Sequence, residues 1–245
     1  MKKRYYLNKY DNISKNEAIL LNSVEEFSVF SIPIIRKLTN WNNIRIKNTL
    51  DSLKKKNIIT SIKKNNYVLI NKIPGNFFSL ANIIIKPSYI SFWTALSYYG
   101  FTEQQVKTIQ VVSTNYYQEL KINERNIETT TFKPFRFYGY QKIENFAIAE
   151  KEKLLIDCIY KPEKAGGLNE LKNCIKTCWD QINQKKLLEY IIMFKNKSIF
   201  AKLGYLLDEL KLDNKYELNF IKNIPKSYTK LGNTKIYNKK WMVQI

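Results

Sequence analysis

The residue types that most often carry out catalysis are scarce in this sequence. The chain of 245 residues contains no histidine, which excludes Ser-His and Cys-His nucleophile pairs, histidine bases and every zinc site that needs an imidazole. The three cysteines, Cys158, Cys174 and Cys178, are an odd number without a framework spacing. Cys174 and Cys178 lie four residues apart on a predicted helix, but two thiolates without a second pair make a poor metal site. We therefore expect free thiols, no metal and a reducing, cytoplasmic location.

Acidic residues form one cluster, Glu150, Glu152 and Asp157, in which paired carboxylates could hold a magnesium ion. On a helix, Glu150 and Glu152 would point about 200° apart and could not share a ligand. The cluster has no Glu-x-Lys spacing of the kind used by restriction-type nucleases, and the chain has no glycine-rich phosphate loop. We expect Glu152 and Asp157 to pair with neighbouring lysines on a solvated face. The sequence therefore predicts no catalytic residues, no cofactor and no enzymatic activity.

The clearest binding chemistry lies on one predicted helix within residues 42–57. Ile46, Leu50 and Leu53 recur at helical spacing and form a stripe that must face a core. The opposite arc is expected to face solvent. Its residues, with Lys47 on the flank, are Trp41, Ile44, Arg45, Asn48, Ser52 and Lys55.

This outward arc mixes side chains that can read a DNA duplex. Arginine bonds the O6 and N7 atoms of guanine, asparagine bonds the N6 and N7 atoms of adenine, and an apolar side chain contacts the thymine methyl group. The other interpretation is that the polar residues only solvate an exposed helix. We predict double-stranded DNA as the partner, and the base-reading residues are Asn42, Ile44, Arg45 and Asn48.

A predicted β-hairpin follows the helix. Its β-branched and aromatic runs, 58–62 and 67–70, flank the polar tip Lys63, Lys64, Asn65 and Asn66. Lysines at such a tip contact phosphates and add affinity without sequence information. We therefore include all four tip residues in the predicted DNA-binding surface, with Lys47 as a further phosphate contact.

The elements that must position this surface come earlier in the chain. Ser14 and Glu17 have the spacing of a capping box, which predicts a first helix. A second helix follows around 34–38, Thr39 and Asn40 are candidate N-caps for the third, and Asn57 suits the left-handed backbone where that helix ends. Three helices and a hairpin in this order predict a winged helix-turn-helix domain over residues 1–73.

The charge distribution favours the same partner. The chain has 41 Lys and Arg against 21 Asp and Glu, a net charge of +20. Residues 1–72 hold 15 of the basic residues and 5 of the acidic ones, so half of the net charge lies on less than a third of the chain. An excess of this kind favours a polyanionic partner.

A larger second domain, residues 74–245, is predicted after the break at Pro74-Gly75-Asn76. We expect a helix over Tyr89–Tyr99, then strands near 106–112 and 129–140. Helices are expected over 147–160, 168–179, 185–194 and 198–210, and an extended tail ends the chain. The predicted fold class is therefore α+β, an N-terminal winged helix-turn-helix followed by a mixed α/β domain with several helices. No segment approaches the ~20 apolar residues of a membrane span, so no membrane partner is expected.

Three segments of the second domain carry a resemblance to a known family. They are SYISFWTALSYYGFTEQ (88–104), IAEKEKLLIDCIYKPEKAGGLNEL (148–171) and IFAKLGYLLDELKL (199–212), and the closing KWMVQI (240–245) is similar as well. In this order behind a winged helix, they resemble the AbiEi-type antitoxin and transcriptional regulator family of bacteria and archaea. The resemblance covers nearly the full chain.

The resemblance implies a repressor that binds inverted repeats of its own operon and acts as the antitoxin of a type IV toxin-antitoxin system. The toxin of such systems has a nucleotidyltransferase fold, and direct contact between the two proteins is not required. Two-fold operators with half-sites a multiple of about 10 bp apart imply a dimer on DNA. Two alternatives stay open: a ligand-responsive winged-helix regulator without a toxin, and a nucleic-acid-processing enzyme.

Overall fold

The chain folds as an α+β protein with two compact units. The computed structural model describes residues 12–27, 29–72, 77–104, 106–122 and 125–245, and the side chains of Lys63 and Ile122 lie outside this description. The first unit contains the described residues up to Ile85 together with the segment Glu119–Ile127, and the second contains Lys86–Gln118 and Glu128–Ile245. The domain boundary predicted at 73/74 falls on residues outside the described ranges and stays a prediction.

Three helices open the first unit: α1 (Lys15–Val24), α2 (Ile32–Thr39) and α3 (Asn43–Lys55). The capping box predicted at the start of α1 is present, since Ser14 and Glu17 each accept a hydrogen bond from the other's backbone N–H. Asn40 is the C-cap of α2 with a φ of 55°, and the N-cap of α3 is Asn42. The predicted N-cap at Thr39 or Asn40 was therefore wrong by two to three residues, because the turn between the helices needs a left-handed residue first.

A three-stranded antiparallel sheet completes the core of the first unit. Its strands β1 (Phe30–Ser31), β2 (Ile59–Lys63) and β3 (Asn66–Leu69) follow the order β1-β3-β2. Pairings such as Ile59 with Leu69 form the hairpin that the sequence predicted over these two runs. The buried stripe of α3 packs here: Ile46 and Leu53 are completely buried and Leu50 almost so. Helix α4 (Phe77–Ile84) and a hairpin formed by β6 (Leu120–Ile122) with the first residues of β7 (Arg125–Thr131) also belong to this unit.

A mixed sheet forms the centre of the second unit. Its strands are β4 (Ser88–Ile90), β5 (Ile109–Ser113), β8 (Tyr140–Ile143) and β9 (Phe146–Ala149), together with the end of β7. The order is β7-β5-β4-β9-β8, with β4 parallel to β9 and antiparallel to β5. The central strand β4 occupies the start of the helix predicted over 89–99. The helix itself begins only at Phe92, so its predicted start was wrong. All three residues of β4 pair with β5, and Ile90 also pairs with β9. These long-range bonds outweigh local helix preference.

Helices of the second unit agree better with the sequence. They are α5 (Phe92–Tyr98), α6 (Lys151–Tyr160), α7 (Gly167–Cys178), α8 (Gln184–Phe194), α9 (Lys197–Leu210) and α10 (Glu217–Asn223). The last four predicted helices are thus present within a few residues, except that 147–149 form a strand before α6. The predicted extended tail contains three short strands, β10 (Thr229–Lys230), β11 (Tyr237–Asn238) and β12 (Val243–Gln244).

The tail is anchored to α9 by Trp241, which is completely buried. Its indole nitrogen donates a hydrogen bond to Asp208 Oδ2 at 2.7 Å. The ring lies against Gly204, where an added Cβ would be only 2.2 Å from Cζ3 of the indole. Any residue larger than glycine at 204 would therefore displace the anchor of the C-terminal sheet.

Candidate nucleic-acid interface

Helix α3 has one buried side and one side exposed to solvent. The helix buries Ile46, Thr49, Leu50 and Leu53, as its periodicity predicts. The side chain of Ile44 is 72% exposed. Also exposed are Arg45, Lys47, Asn48 and Lys55. These five residues of the predicted site share one solvent-facing surface, which we call the α3 face.

Two predicted members of this face lie elsewhere. Trp41 was expected to face outward, but it is 8% exposed and belongs to the hydrophobic core of the first unit. It precedes the first residue of α3, so a helical wheel extended back to 41 gives the wrong direction. Ser52 is only half-buried, but its hydroxyl donates to Glu17 Oε1 at 2.7 Å and so points into the protein. Neither side chain is placed to contact DNA.

Arg45 is held in place by two contacts within the protein. Its guanidinium carbon lies 4.1 Å from the centroid of the Trp41 ring, within the range of a cation-π interaction. Its Nη2 donates a hydrogen bond to Oδ1 of Asn16 on α1, at 2.6 Å. The buried indole ring thus packs against the inner side of the exposed Arg45 guanidinium. Trp41 therefore contributes to the site by supporting Arg45 from below.

Asn42 has a structural task as well as an exposed position. As the N-cap of α3, its Oδ1 accepts a hydrogen bond from the backbone N–H of Arg45 at 2.9 Å. That oxygen is therefore occupied when the helix is formed. The neighbouring Asn43, which sequence reasoning left out, accepts a hydrogen bond from Arg36 of α2 and so ties the two helices together.

The tip of the β2-β3 hairpin is polar, as predicted. Lys64 and Asn65 are exposed, and Asn65 adopts a φ of 62°, a left-handed conformation that asparagine tolerates. The Nδ2 of Asn66 donates to the carbonyl oxygen of Lys64 at 3.0 Å, which closes the turn. The side chain of Lys63 lies outside the described residues. The turn therefore presents at least one lysine to solvent.

A buried carboxylate lies beneath the α3 face. The side chain of Glu17 is 2% exposed and forms an ion pair with Lys56, whose Nζ is 2.8 Å from Oε2. Burial raises the pKa of Glu17, but hydrogen bonds from Lys56, from the Ser14 backbone and from Ser52 outweigh it and lower the pKa to about 2. Glu17 thus joins α1 to the last turn of α3 as an ionised group.

Asp51 is the one acidic residue on α3, and the sequence prediction omitted it. It is exposed and lies 3.6 Å from Lys54 Nζ. On the helix it is one turn from both Lys47 and Lys55, so it lowers the positive potential of the second half of the face. The first two turns, with Ile44, Arg45 and Asn48, are therefore the part of the α3 face farthest from a carboxylate of this helix.

The acidic cluster of the second unit differs from the prediction. Asp157 and Lys153 are both completely buried and form an ion pair on α6, where a solvated pair was expected. The hydroxyl of Tyr89 donates to Asp157 Oδ2 at 3.1 Å and accepts from Lys153 Nζ at 2.8 Å, and Ser91 Oγ donates to Oδ2 at 2.8 Å. Four aromatic rings surround the ammonium group, with centroids 5.0–5.3 Å from Nζ. Burial raises the pKa of Asp157 and lowers that of Lys153, while each charge opposes this change in its partner.

Glu150 and Glu152 also differ from the prediction, because they share one partner. Lys186 Nζ lies 3.1 Å from Oε2 of Glu150 and 3.6 Å from Oε2 of Glu152. Glu150 is the N-cap of α6 with extended backbone, ψ 156°, so the 200° separation expected within a helix does not apply. Among the described residues, no three His, Cys, Asp or Glu side chains form a group that could hold a metal ion.

Two further properties bear on the class of protein. All three cysteines are buried free thiols. Within the described ranges, no helix combines the length and the apolar character needed to cross a bilayer.

Comparison with known proteins identifies the fold and nothing further. No family model matches the chain, and no curated protein matches it. The RV2827C protein from Mycobacterium tuberculosis, known from a crystal structure, is similar in fold, with a TM-score of 0.64 over 95% of this chain and 92% of that chain. The two sequences are 9% identical. At this identity the similarity shows a shared α+β architecture and carries no function.

Proposed function

We propose that the first unit is a winged helix-turn-helix that binds double-stranded DNA, with α3 as the recognition helix and the β2-β3 hairpin as the wing. The observation that carries the proposal is the exposure of Ile44, Arg45 and Asn48 on the first two turns of α3. Recognition helices contact base edges with their N-terminal residues. The three side chains match the thymine methyl, guanine and adenine edges of the major groove.

The support of Arg45 by Trp41 strengthens this proposal. A long, flexible side chain loses about 0.5–1.5 kcal/mol of conformational freedom when a complex fixes it. An arginine already stacked on a rigid ring has lost part of that freedom before DNA arrives. Its bond to Asn16 would be exchanged for bonds to guanine O6 and N7, so the arginine keeps its hydrogen bonds on binding.

We further propose that the chain represses its own operon and is the antitoxin of a nucleotidyltransferase-like toxin. This part rests on the resemblance of residues 88–104, 148–171 and 199–212 to the AbiEi-type family. The second of these segments contains the ion pair Lys153–Asp157. Both residues are buried in the core, so their role in this segment is structural. Binding to inverted repeats would require two copies of the α3 face about one or two helical turns apart.

Gel shifts with the DNA upstream of the chain's own operon test the DNA-binding proposal. Arg45→Ala should weaken operator binding by about 5- to 150-fold, equivalent to about 1–3 kcal/mol, and should flatten the preference over scrambled DNA. Lys64→Ala should weaken both DNAs equally and lower the slope of log K against log salt by about 1. Lys142→Ala, an exposed lysine on β8, is the charge control and should change neither.

Equal losses on operator and scrambled DNA in the Arg45 variant would refute its role in base reading. Failure of the intact chain to bind any duplex at modest salt would refute the whole proposal.

The antitoxin proposal needs a separate test. The gene beside this one should encode a nucleotidyltransferase-like protein whose expression stops growth, and co-expression of this chain should restore it. Rescue by the Arg45→Ala variant would show that antitoxin action is separate from operator binding. A harmless neighbouring gene product would instead favour the ligand-responsive regulator.

A further inference from the structure

The C-terminal sheet of the second unit, β10-β12-β11, has one face toward the core and one face outward. Val243 is completely buried and fixes one face of the sheet toward the core. The register pairs Lys230 and Tyr237 with the same residue, Gln244, on the two sides of the central strand β12. Paired residues in neighbouring strands share a face, and Gln244 alternates with Val243. Lys230, Gln244 and Tyr237 therefore form a row across the outer face.

Two tyrosines on this surface are accessible and close together. Tyr228 is 42% exposed and Tyr237 is 51% exposed, and their ring centroids lie 5.0 Å apart in an edge-to-face arrangement. Next to them, Ile236 is 61% exposed. Both rings are therefore accessible from solvent to another planar group. We call this surface, with Lys230 and Gln244, the tyrosine face.

The segment of the chain that forms the tyrosine face is strongly basic. From Leu218 to Ile245 the sequence contains six lysines and no aspartate or glutamate. Asp208 on α9 and Glu217 at the start of α10 are both bound by Lys240, at 2.7 and 2.6 Å. The five other lysines of this segment are exposed: Lys222, Lys226, Lys230, Lys235 and Lys239.

The sheet that carries the tyrosine face is fixed to the core, and a surface on which bases stack needs such rigidity. The buried Trp241 ring packs on Gly204 of α9, and its N–H is bonded to Asp208. The amide of Gln244 donates to the carbonyl oxygen of Thr234 at 2.9 Å, which fastens the loop before β11. The tyrosines therefore stand on a short sheet whose opposite side is part of the core.

We propose that the tyrosine face binds single-stranded nucleic acid. Exposed aromatic rings beside lysines are the combination that proteins use for single strands, since bases stack on the rings and the lysines contact phosphates. A duplex would offer phosphates to the lysines but no free base faces to the tyrosines, because its bases are already stacked on one another. This binding is independent of the proposed operator binding, since it involves different residues and a different form of nucleic acid.

Fluorescence anisotropy of the full-length protein with labelled oligo-dT and oligo-U tests the proposal, with oligonucleotides of about 12 nucleotides, within the usual site sizes. Tyr237→Ala should weaken binding by about 5- to 150-fold, the effect of one lost base-aromatic stack. Tyr237→Phe should retain the affinity, because the stacking ring remains. Lys230→Ala should reduce the salt slope by about 0.7, the value for one phosphate of a single strand.

Two control variants separate this surface from others. Tyr116 is 78% exposed elsewhere in the second unit, so Tyr116→Ala removes an accessible tyrosine without touching the tyrosine face and should have no effect. Arg45→Ala should impair operator binding and leave oligonucleotide binding unchanged. The relative affinity for oligo-dT and oligo-U identifies DNA or RNA as the source of the strand.

Several results would overturn the proposal. Unchanged oligonucleotide binding in Tyr237→Ala would show that the tyrosines take no part. Equal competition by polyglutamate would show that the surface recognises charge alone. Binding to phosphatidylserine vesicles that depends on Tyr237, without binding to either oligonucleotide, would assign the surface to a membrane instead.

Discussion

The ionised Glu17 makes the stability of the first unit depend on acid in a defined way. Its pKa is about 2 in the folded chain, against an ordinary value of 4.5. A carboxylate whose pKa is lowered by folding stabilises the fold above its ordinary pKa, and this contribution is lost as the pH falls toward the folded value. We therefore expect the first unit to lose stability between about pH 4.5 and about pH 2 through this one group.

The size of the effect follows from the two pKa values. Each tenfold change in a protonation constant is worth about 1.4 kcal/mol, so the full difference corresponds to about 3 kcal/mol. Its main partner, Lys56, is 33% exposed, and solvent screening of that ion pair lowers the expected value to about 2–3 kcal/mol. Glu17→Gln keeps the shape of the side chain but removes the charge. The variant should be less stable by this amount at neutral pH and nearly equal to the natural chain at pH 2.

Hydrogen-deuterium exchange can measure this for the first unit alone. Opening free energies from α1 and α3 peptides should converge between the natural chain and Glu17→Gln as the pH is lowered from 6 to 2. Peptides from the second unit provide an internal reference in the same samples. Glu26→Gln, at an exposed position just beyond α1, is the matched charge control. A gap between the natural chain and Glu17→Gln that stays constant over the whole pH range would refute the assignment.

Three other predictions concern the second unit. Gly204→Ala should destabilise it by about 1–3 kcal/mol through overpacking against Trp241. The same change at an open helical site stabilises a helix. In thermal melts, adding Trp241→Phe should restore part of the lost melting temperature. Lys153→Met or Asp157→Leu alone should cost about 3–5 kcal/mol in urea unfolding, whereas the double variant should cost much less, because neither change then leaves a buried charge unpaired. Burial raises the pKa of all three cysteine thiols, so Ellman's reagent should react slowly with the native chain and fully after denaturation.

The part of the fold most accessible from sequence was the region around α3. The spacing of Ile46, Leu50 and Leu53 specifies a helix with one buried side, and this is a local property of the chain. Asn57 ends the segment with a φ of 52°, as its position suggested. The direction of Trp41 could not be obtained in the same way. It depends on the turn between two helices, in which Asn40 and Asn42 divide the capping roles.

The second unit shows where local reasoning fails. Lys153 and Asp157 have the spacing of an ordinary surface ion pair on a helix, and lysine is rarely buried. What buries them is a set of residues distant in the chain: Tyr89 and Ser91 bind the pair from 64 to 68 positions away. In the sequence, Tyr89 and Ser91 look like ordinary hydroxyl-bearing residues. They point to a buried ion pair only once β4 is known to be a central strand.

The stacking of Arg45 on Trp41 has an evolutionary consequence. A residue hidden from solvent determines how an exposed arginine is oriented, so under the proposed DNA binding, substitutions at position 41 would change folding and target preference together. Divergence of binding specificity in relatives of this protein should therefore be accompanied by compensating changes inside the first unit, and exchanging only surface residues between them should transfer specificity incompletely.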